Sequence, residues 1–244
     1  MTERFLSFQR SLVYCIQAKA KYKTGGLFDL KKGTKNFYVA AAFLLAFVLW
    51  TVIVCLVDVQ TIGPQGTKVG LATVNKWIHE LTGVHLSLYM LTDWLSLIPV
   101  GLVLGFAMLG LAQWIKRKKL RAVDRSLFVL GGFYIVVMIL YLFFELVVVN
   151  YRPVLIEGVL EVSYPSSTTM LVMCVMPTAM MQIHDRIRNG TVRRTLKLLM
   201  TVFLIFMVLG RLISGVHWVT DIIGGGLLSI GLVMGYLSFS KLPL

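Results

Sequence analysis

Apolar residues in this chain run on for the length of a membrane-crossing helix at five places, with polar residues collected between. The runs are Phe37 to Val57, Trp94 to Ile115, Leu127 to Val149, Leu196 to Ile213 and Val219 to Phe239, each close to the roughly 20 residues needed to cross hydrocarbon. A sixth, Ser167 to Ile183, is shorter and less pure. It counts as spanning, because the basic segments would otherwise fall on both sides of the bilayer. The pattern predicts an all-α bundle of six transmembrane helices with both termini cytoplasmic.

Charge fixes the orientation of that bundle. Of the 24 Lys and Arg, 20 lie in residues 1–36, 116–126, 184–197 and at Lys241, which leaves Lys68, Lys76, Arg152 and Arg211 for the other side. Positive charge in short loops stays cytoplasmic, so the two basic loops and both ends face inward. Composition agrees: residues are 57% hydrophobic and 14% charged, too apolar for a soluble globule to hide. The net charge of +13 follows from topology and contact with anionic lipid, and needs no nucleic-acid partner.

No linker, low-complexity tract or clear repeat divides the chain, which predicts one membrane domain over 37–244. The first apolar run follows 36 residues and lacks a small-residue cleavage site near its end, so it reads as a retained helix. Residues 1–36 interleave Phe5, Leu6, Phe8, Leu12, Val13 and Ile16 with Arg4, Arg10, Lys19 and Lys21. That pattern suits a segment lying along the cytoplasmic interface, and it also suits a plain basic tail. The long outer loop 58–92 carries Val74, Trp77, Ile78 and Leu81 at helical spacing, as a connector over the helix ends or a lid. Cys15 is predicted cytoplasmic, and Cys55 and Cys174 fall inside helices, so no disulfide framework is expected.

Ionisable groups near hydrocarbon depth are costly, and here they gather at the outer face. The third helix ends at Asn150-Tyr151-Arg152-Pro153, the fourth starts at Tyr164-Pro165-Ser166-Ser167-Thr168, and the last two meet across Gly210-Arg211 to His217 and Asp221. The outer junctions 150–166 and 211–218 therefore form one candidate site. His217 and Asp221 are four apart, so on a helix the carboxylate can hold one imidazole nitrogen and leave the other nucleophilic. Arg152 and Arg211 offer planar forks for a phosphate, and the amides after Pro165-Ser166 favour an anion. Singly, each feature has a plain structural explanation, since Arg at a helix end often reaches for headgroups. Their convergence on one face is what favours function.

These residues resemble the type 2 phosphatidic acid phosphatase superfamily, whose pattern is KxxxxxxRP, then PSGH, then SRxxxxxHxxxD on a six-helix core. The third motif is nearly complete as Arg211, five residues, His217, three residues, Asp221; the first survives as Arg152-Pro153 and the second as Pro165-Ser166. The resemblance implies His217 as nucleophile, Asp221 as its orienting acid, and Arg152, Arg211, Ser166 and Ser167 around the phosphate, with no metal and no cofactor. The position seven before Arg152 is Glu145 in place of Lys, and Thr168 stands where the family has the histidine that protonates the leaving group.

A threonine hydroxyl is no general acid near neutral pH, and such catalysis is worth roughly 10² to 10⁴-fold. A diphosphate leaves without a proton, since the second pKa of a phosphate is about 6. The expected activity is a membrane lipid phosphatase or phosphotransferase, acting on a lipid diphosphate in preference to a monophosphate, at the outer face of the plasma membrane. Glu145 is expected protonated or paired with Arg152. His79 and His85, in the outer loop, are candidate substitute acids. The alternative is a non-catalytic relative that binds, senses or moves a phospholipid headgroup. A transporter is weaker, since no paired helix interruptions appear, and Gly224-Gly225-Gly226 reads as close helix packing.

Overall fold

The computed structural model describes residues 33–240, and the interfacial segment expected before them, Cys15 and Lys241 lie outside those residues. Helix α1 (Gly33–Leu56) leads into a two-stranded antiparallel ribbon, β1 (Gln60–Thr61) and β2 (Lys68–Val69). Then come α2 (Ala72–Thr82), α3 (Leu86–Leu95), α4 (Leu97–Arg117), α5 (Arg125–Leu146), α6 (Ser167–Arg186), α7 (Gly190–Ile213) and α8 (Val219–Ser240).

Five stretches are long and apolar enough to cross a bilayer: Gly33–Leu56, Leu86–Arg117, Arg125–Leu146, Gly190–Ile213 and Val219–Ser240. These match the five apolar runs, and the chain is a multi-pass membrane protein. Helix α6 is absent from that set for a physical reason. It is the centre of the bundle, with Met170, Val172, Cys174, Val175, Met176 and Ala179 buried on every side. Enclosed by protein, it can carry Thr178 and Gln182, which bond to Tyr134 at 3.0 Å and Tyr236 at 2.9 Å. Around it, Phe47 and Val54 of α1, Leu130, Phe133 and Val137 of α5, and Leu228, Val233 and Tyr236 of α8 complete the core.

Close approach of α8 to the start of α6 depends on glycine. A Cβ at Gly224 would lie 2.7 Å from the Tyr164 ring, and one at Gly225 would lie 3.1 Å from the Ser166 carbonyl oxygen. Tyr164 itself is stacked on Phe47 and bonded through its hydroxyl to Thr51 at 2.7 Å, so α1 braces the site from behind.

The stretch 58–92, expected as a loop with one helical segment, holds the ribbon and two helices. Helix α2 realises the Val74, Trp77, Ile78, Leu81 spacing. Helix α3 is the correction: its ten residues, Leu86–Leu95, read as apolar and polar without a clean period. It forms because it docks on α7, where a Cβ at Gly210 would meet Thr92 Cγ2 at 2.8 Å. Its N-terminus is pinned by His85 N donating to the Ser214 carbonyl at 2.9 Å. Ser96 separates α3 from α4, three residues ahead of Pro99, which has no amide hydrogen to give.

The basic loops 118–124 and 187–189 lie together at one end of the bundle, where Arg186 reaches Asp124 at 3.9 Å and Ser126 at 3.1 Å. The opposite end holds the three polar junctions.

Candidate active site

The α5–α6 connection is a short hairpin. Tyr151 pairs with Val162 and Ile156 with Val159, turning at Glu157 and Gly158 with φ of 50° and 81°, both left-handed as a two-residue hairpin turn requires. This pairing sets Arg152 opposite Glu161, with Arg152 N donating to the Glu161 carbonyl at 3.0 Å, and Asn150 opposite Ser163. Between α7 and α8 the chain turns at Gly215, whose φ is 66° and where a Cβ would collide with the Gly83 carbonyl oxygen at 1.9 Å. The turn tucks His217 inside, 3% exposed, beside a fully buried Asp221.

The two do not bond directly. His217 Nδ1 stands 3.7 Å from Asp221 Oδ2, and the Ser163 hydroxyl sits between, 3.0 Å from Nδ1 and donating to Oδ2. Asp221 also accepts from Trp218 N at 2.9 Å and from the Asn150 amide at 3.3 Å. With Ser163 donating to the carboxylate, its oxygen accepts from Nδ1–H, so Nε2 carries the lone pair. Burial pushes the imidazole down to about 4, helped by the charges of Arg152 and Arg211 and opposed by Asp221. It is therefore neutral and nucleophilic at physiological pH.

Arg211 and Arg152 flank this dyad, 2% and 8% exposed. Nη2 of Arg211 donates to Thr168 and, at 2.8 Å, to Asp93 of α3. Nε of Arg152 lies 2.9 Å from Glu161 Oε2, off the line of a hydrogen bond. The Tyr89 ring lies under both guanidinium groups, 4.7 Å from Arg211 Cζ and 5.4 Å from Arg152 Cζ, and so gathers the two cations against their repulsion. Five buried nitrogens of this site make no hydrogen bond: Nε and Nη1 of each arginine, and Nε2 of His217. An unmet buried donor costs about 1–3 kcal/mol, and an anion seated against the two guanidinium groups would relieve some of that cost.

Beside this clamp opens an apolar cavity of about 330 Å³. Asp93, Ser96, Ser167 and Thr168 form its polar end, and Val100, Val103, Val137, Met138, Leu171 and Val175 carry it between α4, α5 and α6.

Arg152, Arg211, Thr168, His217 and Asp221 are thus brought together as the sequence suggested. Ser166 is buried, but its hydroxyl is spent capping α6, accepting from Thr169 N and Oγ1 at 3.5 and 3.0 Å. Ser167 opens onto the cavity. Glu145 is exposed at the end of α5, beside Tyr141 and not on Arg152, whose carboxylate partner is Glu161. His79 rests on the Trp218 ring at 5.4 Å, and the His85 ring bonds the Thr82 carbonyl at 2.9 Å; neither lines the cavity. Sequence reasoning gave no role to Asn150, which it quoted only as a helix end, and did not single out Ser163, Glu161, Tyr89 or Asp93.

Residues 126–242 match the PAP2 superfamily, the type 2 phosphatidic acid phosphatases. Over that stretch the match is divergent, with Glu145 and Thr168 in the first and second motifs. The chain is also similar to a solved structure, a transmembrane PAP2 type phosphatidylglycerolphosphate phosphatase from Bacillus subtilis. That protein is 19% identical, with 83% of this chain and 95% of that chain covered and a TM-score of 0.47, a likeness too loose to say anything of the site. No curated protein matches the sequence.

Proposed function

We propose that the protein is a membrane lipid phosphatase or phosphotransferase that cleaves a lipid phosphate or diphosphate at the non-cytoplasmic face through a phosphohistidine on His217. The observation that carries this reading is five buried nitrogens of this site that make no hydrogen bond. Four belong to guanidinium groups, which suit phosphate oxygens, and the fifth is a neutral imidazole nitrogen able to attack a phosphorus held beside them.

Arg152 and Arg211 hold the phosphate, and the developing charge on its oxygens strengthens those bonds. Ser163 and Asp221 fix the tautomer and stabilise the imidazolium that forms as Nε2 attacks. The apolar cavity beside Thr168 takes the start of a lipid tail. Six crossing helices, with α6 as the enclosed sixth, put the basic loops on the cytoplasmic side and the site on the other. A diphosphate needs the least help in leaving.

A non-catalytic headgroup binder of the same fold is the second reading. It is favoured by Thr168 in place of the proton-donating histidine and Glu145 in place of the first-motif lysine. Phosphate released by detergent-purified protein from polyprenyl diphosphate and from alkyl phosphate separates the two. Release that vanishes in His217→Ala is the expected result. Release unchanged by that substitution removes His217 as nucleophile, and no release from either substrate favours the binder.

A further inference from the structure

An ester oxygen that leaves in this reaction lies, by its chemistry, where the phosphate joins the lipid tail. In this molecule that place is the boundary between the arginine clamp and the apolar cavity, and Arg211, Thr168 and Asp93 meet there. Nη2 of Arg211 donates both to Thr168 Oγ1 and to Asp93 Oδ1, which keeps the two oxygens within about 5 Å of each other. Thr168 stands where the superfamily pattern puts its proton donor and cannot act as one. Asp93 reaches the same spot from α3, an element that the motifs do not include.

We propose that Asp93 is the general acid of this site, standing in for the histidine missing at position 168. This rests on the phosphatase reading above. Its side chain is 57% exposed, open to water as a proton source, and Oδ1 is held by Arg211 while Oδ2 is left for the proton. The other polar groups around it are weaker candidates. Tyr134 of α5 is bonded to Thr178 at 3.0 Å, Tyr141 of α5 sits beside Glu145, Tyr89 of α3 lies flat under the guanidinium groups, and Ser96 and Ser167 are hydroxyls.

The lone pair of His217 Nε2 forms the bond to phosphorus, and the bond from phosphorus to the ester oxygen breaks. That oxygen keeps the electron pair, takes the proton from Asp93 Oδ2, and leaves as a neutral alcohol. Water then attacks the phosphorus and gives its proton to a phosphoryl oxygen, while Asp93 recovers its own proton from solvent. The pair in the nitrogen–phosphorus bond returns to Nε2, and inorganic phosphate departs.

The test is the dependence on the leaving group. Asp93→Asn is assayed in detergent on decyl phosphate, whose alkoxide needs a proton, and on p-nitrophenyl phosphate and decyl diphosphate, whose leaving groups do not. The expected result is a loss of about 10²-fold or more on decyl phosphate, with less than about threefold on the other two. Asp93→Glu keeps an acid, so its decyl to nitrophenyl ratio should stay within about tenfold of the unaltered protein. A ratio as low as that of the Asn variant overturns the proposal. An equal loss on all three substrates means that Asp93 only positions Arg211, and an equal gain means that it merely blocks the clamp; either overturns the proposal while the phosphatase reading stands. Unaltered protein inert toward all three overturns that reading, and the proposal with it.

Discussion

The two halves of the candidate site are built differently. On the His217 side, His217 and Asp221 are buried, joined through Ser163, and fixed by backbone contacts such as Ser166 N to the Asp221 carbonyl at 3.1 Å. On the leaving-group side, Asp93 and Thr168 meet only through one nitrogen of Arg211, at the edge of an open cavity. The His217 half is held rigidly by buried hydrogen bonds. The Asp93 half is assembled by α3, a helix held to the bundle through Thr92, Gly210 and the His85 amide, and it is where this chain departs from the PAP2 pattern.

The sharpest way to break the contrast is to disable the buried half. Asp221→Asn should cost on the order of 10³ to 10⁴-fold in phosphate release, because an amide favours the wrong imidazole tautomer. A loss no larger than that of Asp93→Asn on decyl phosphate would erase the distinction between the halves. Ser163→Ala should follow with a loss of about 10²-fold, the cost of letting a catalytic group drift, because 3.7 Å then separates Nδ1 from the carboxylate with nothing between. Full activity in that variant would show that the serine is a bystander.

A stability measurement comes next in size. Gly224→Ala drives a methyl against the Tyr164 ring, and should lower unfolding stability by about 1–3 kcal/mol, as overpacking does. The same push should reach Ser163 next door and lower turnover before unfolding is seen.

Titration probes the same burial by a separate route. His217 binds its proton near 6.5 when the chain is unfolded and near 4 in place. The unfolded state therefore takes up protons first, and the stability gained from a neutral buried imidazole is complete above pH 6.5 and lost as pH falls towards 4. The thermal midpoint should drop on acidification through that window, and drop less in His217→Gln. Equal slopes would mean that the imidazole is not buried neutral.

The sequence exposed the site unevenly. The third motif was legible because His217 and Asp221 are local partners on one helix start, and five spans were legible because lipid demands apolar residues wherever protein does not cover them. Helix α6 blurred that rule from the inside, being shielded. Asp93 and Tyr89 were invisible: they meet Arg211 across 118 residues in the case of Asp93, and no local period marks the helix that carries them. Ser163 was hidden by its ordinariness, since any serine ahead of a Pro-Ser turn looks like loop. Glu145, conspicuous by spacing, stands aside from the arginine it was expected to meet, because the hairpin of 150–163 brings Glu161 there first.

The most direct test of the central claim is to trap the intermediate. Purified protein is mixed with phosphate-labelled lipid substrate, quenched in alkali, in which a phosphohistidine survives, and digested for mass spectrometry. The account predicts a phosphoryl group on the peptide carrying His217, absent from His217→Ala. Turnover of substrate with the label on another residue, or with none on His217, would contradict it.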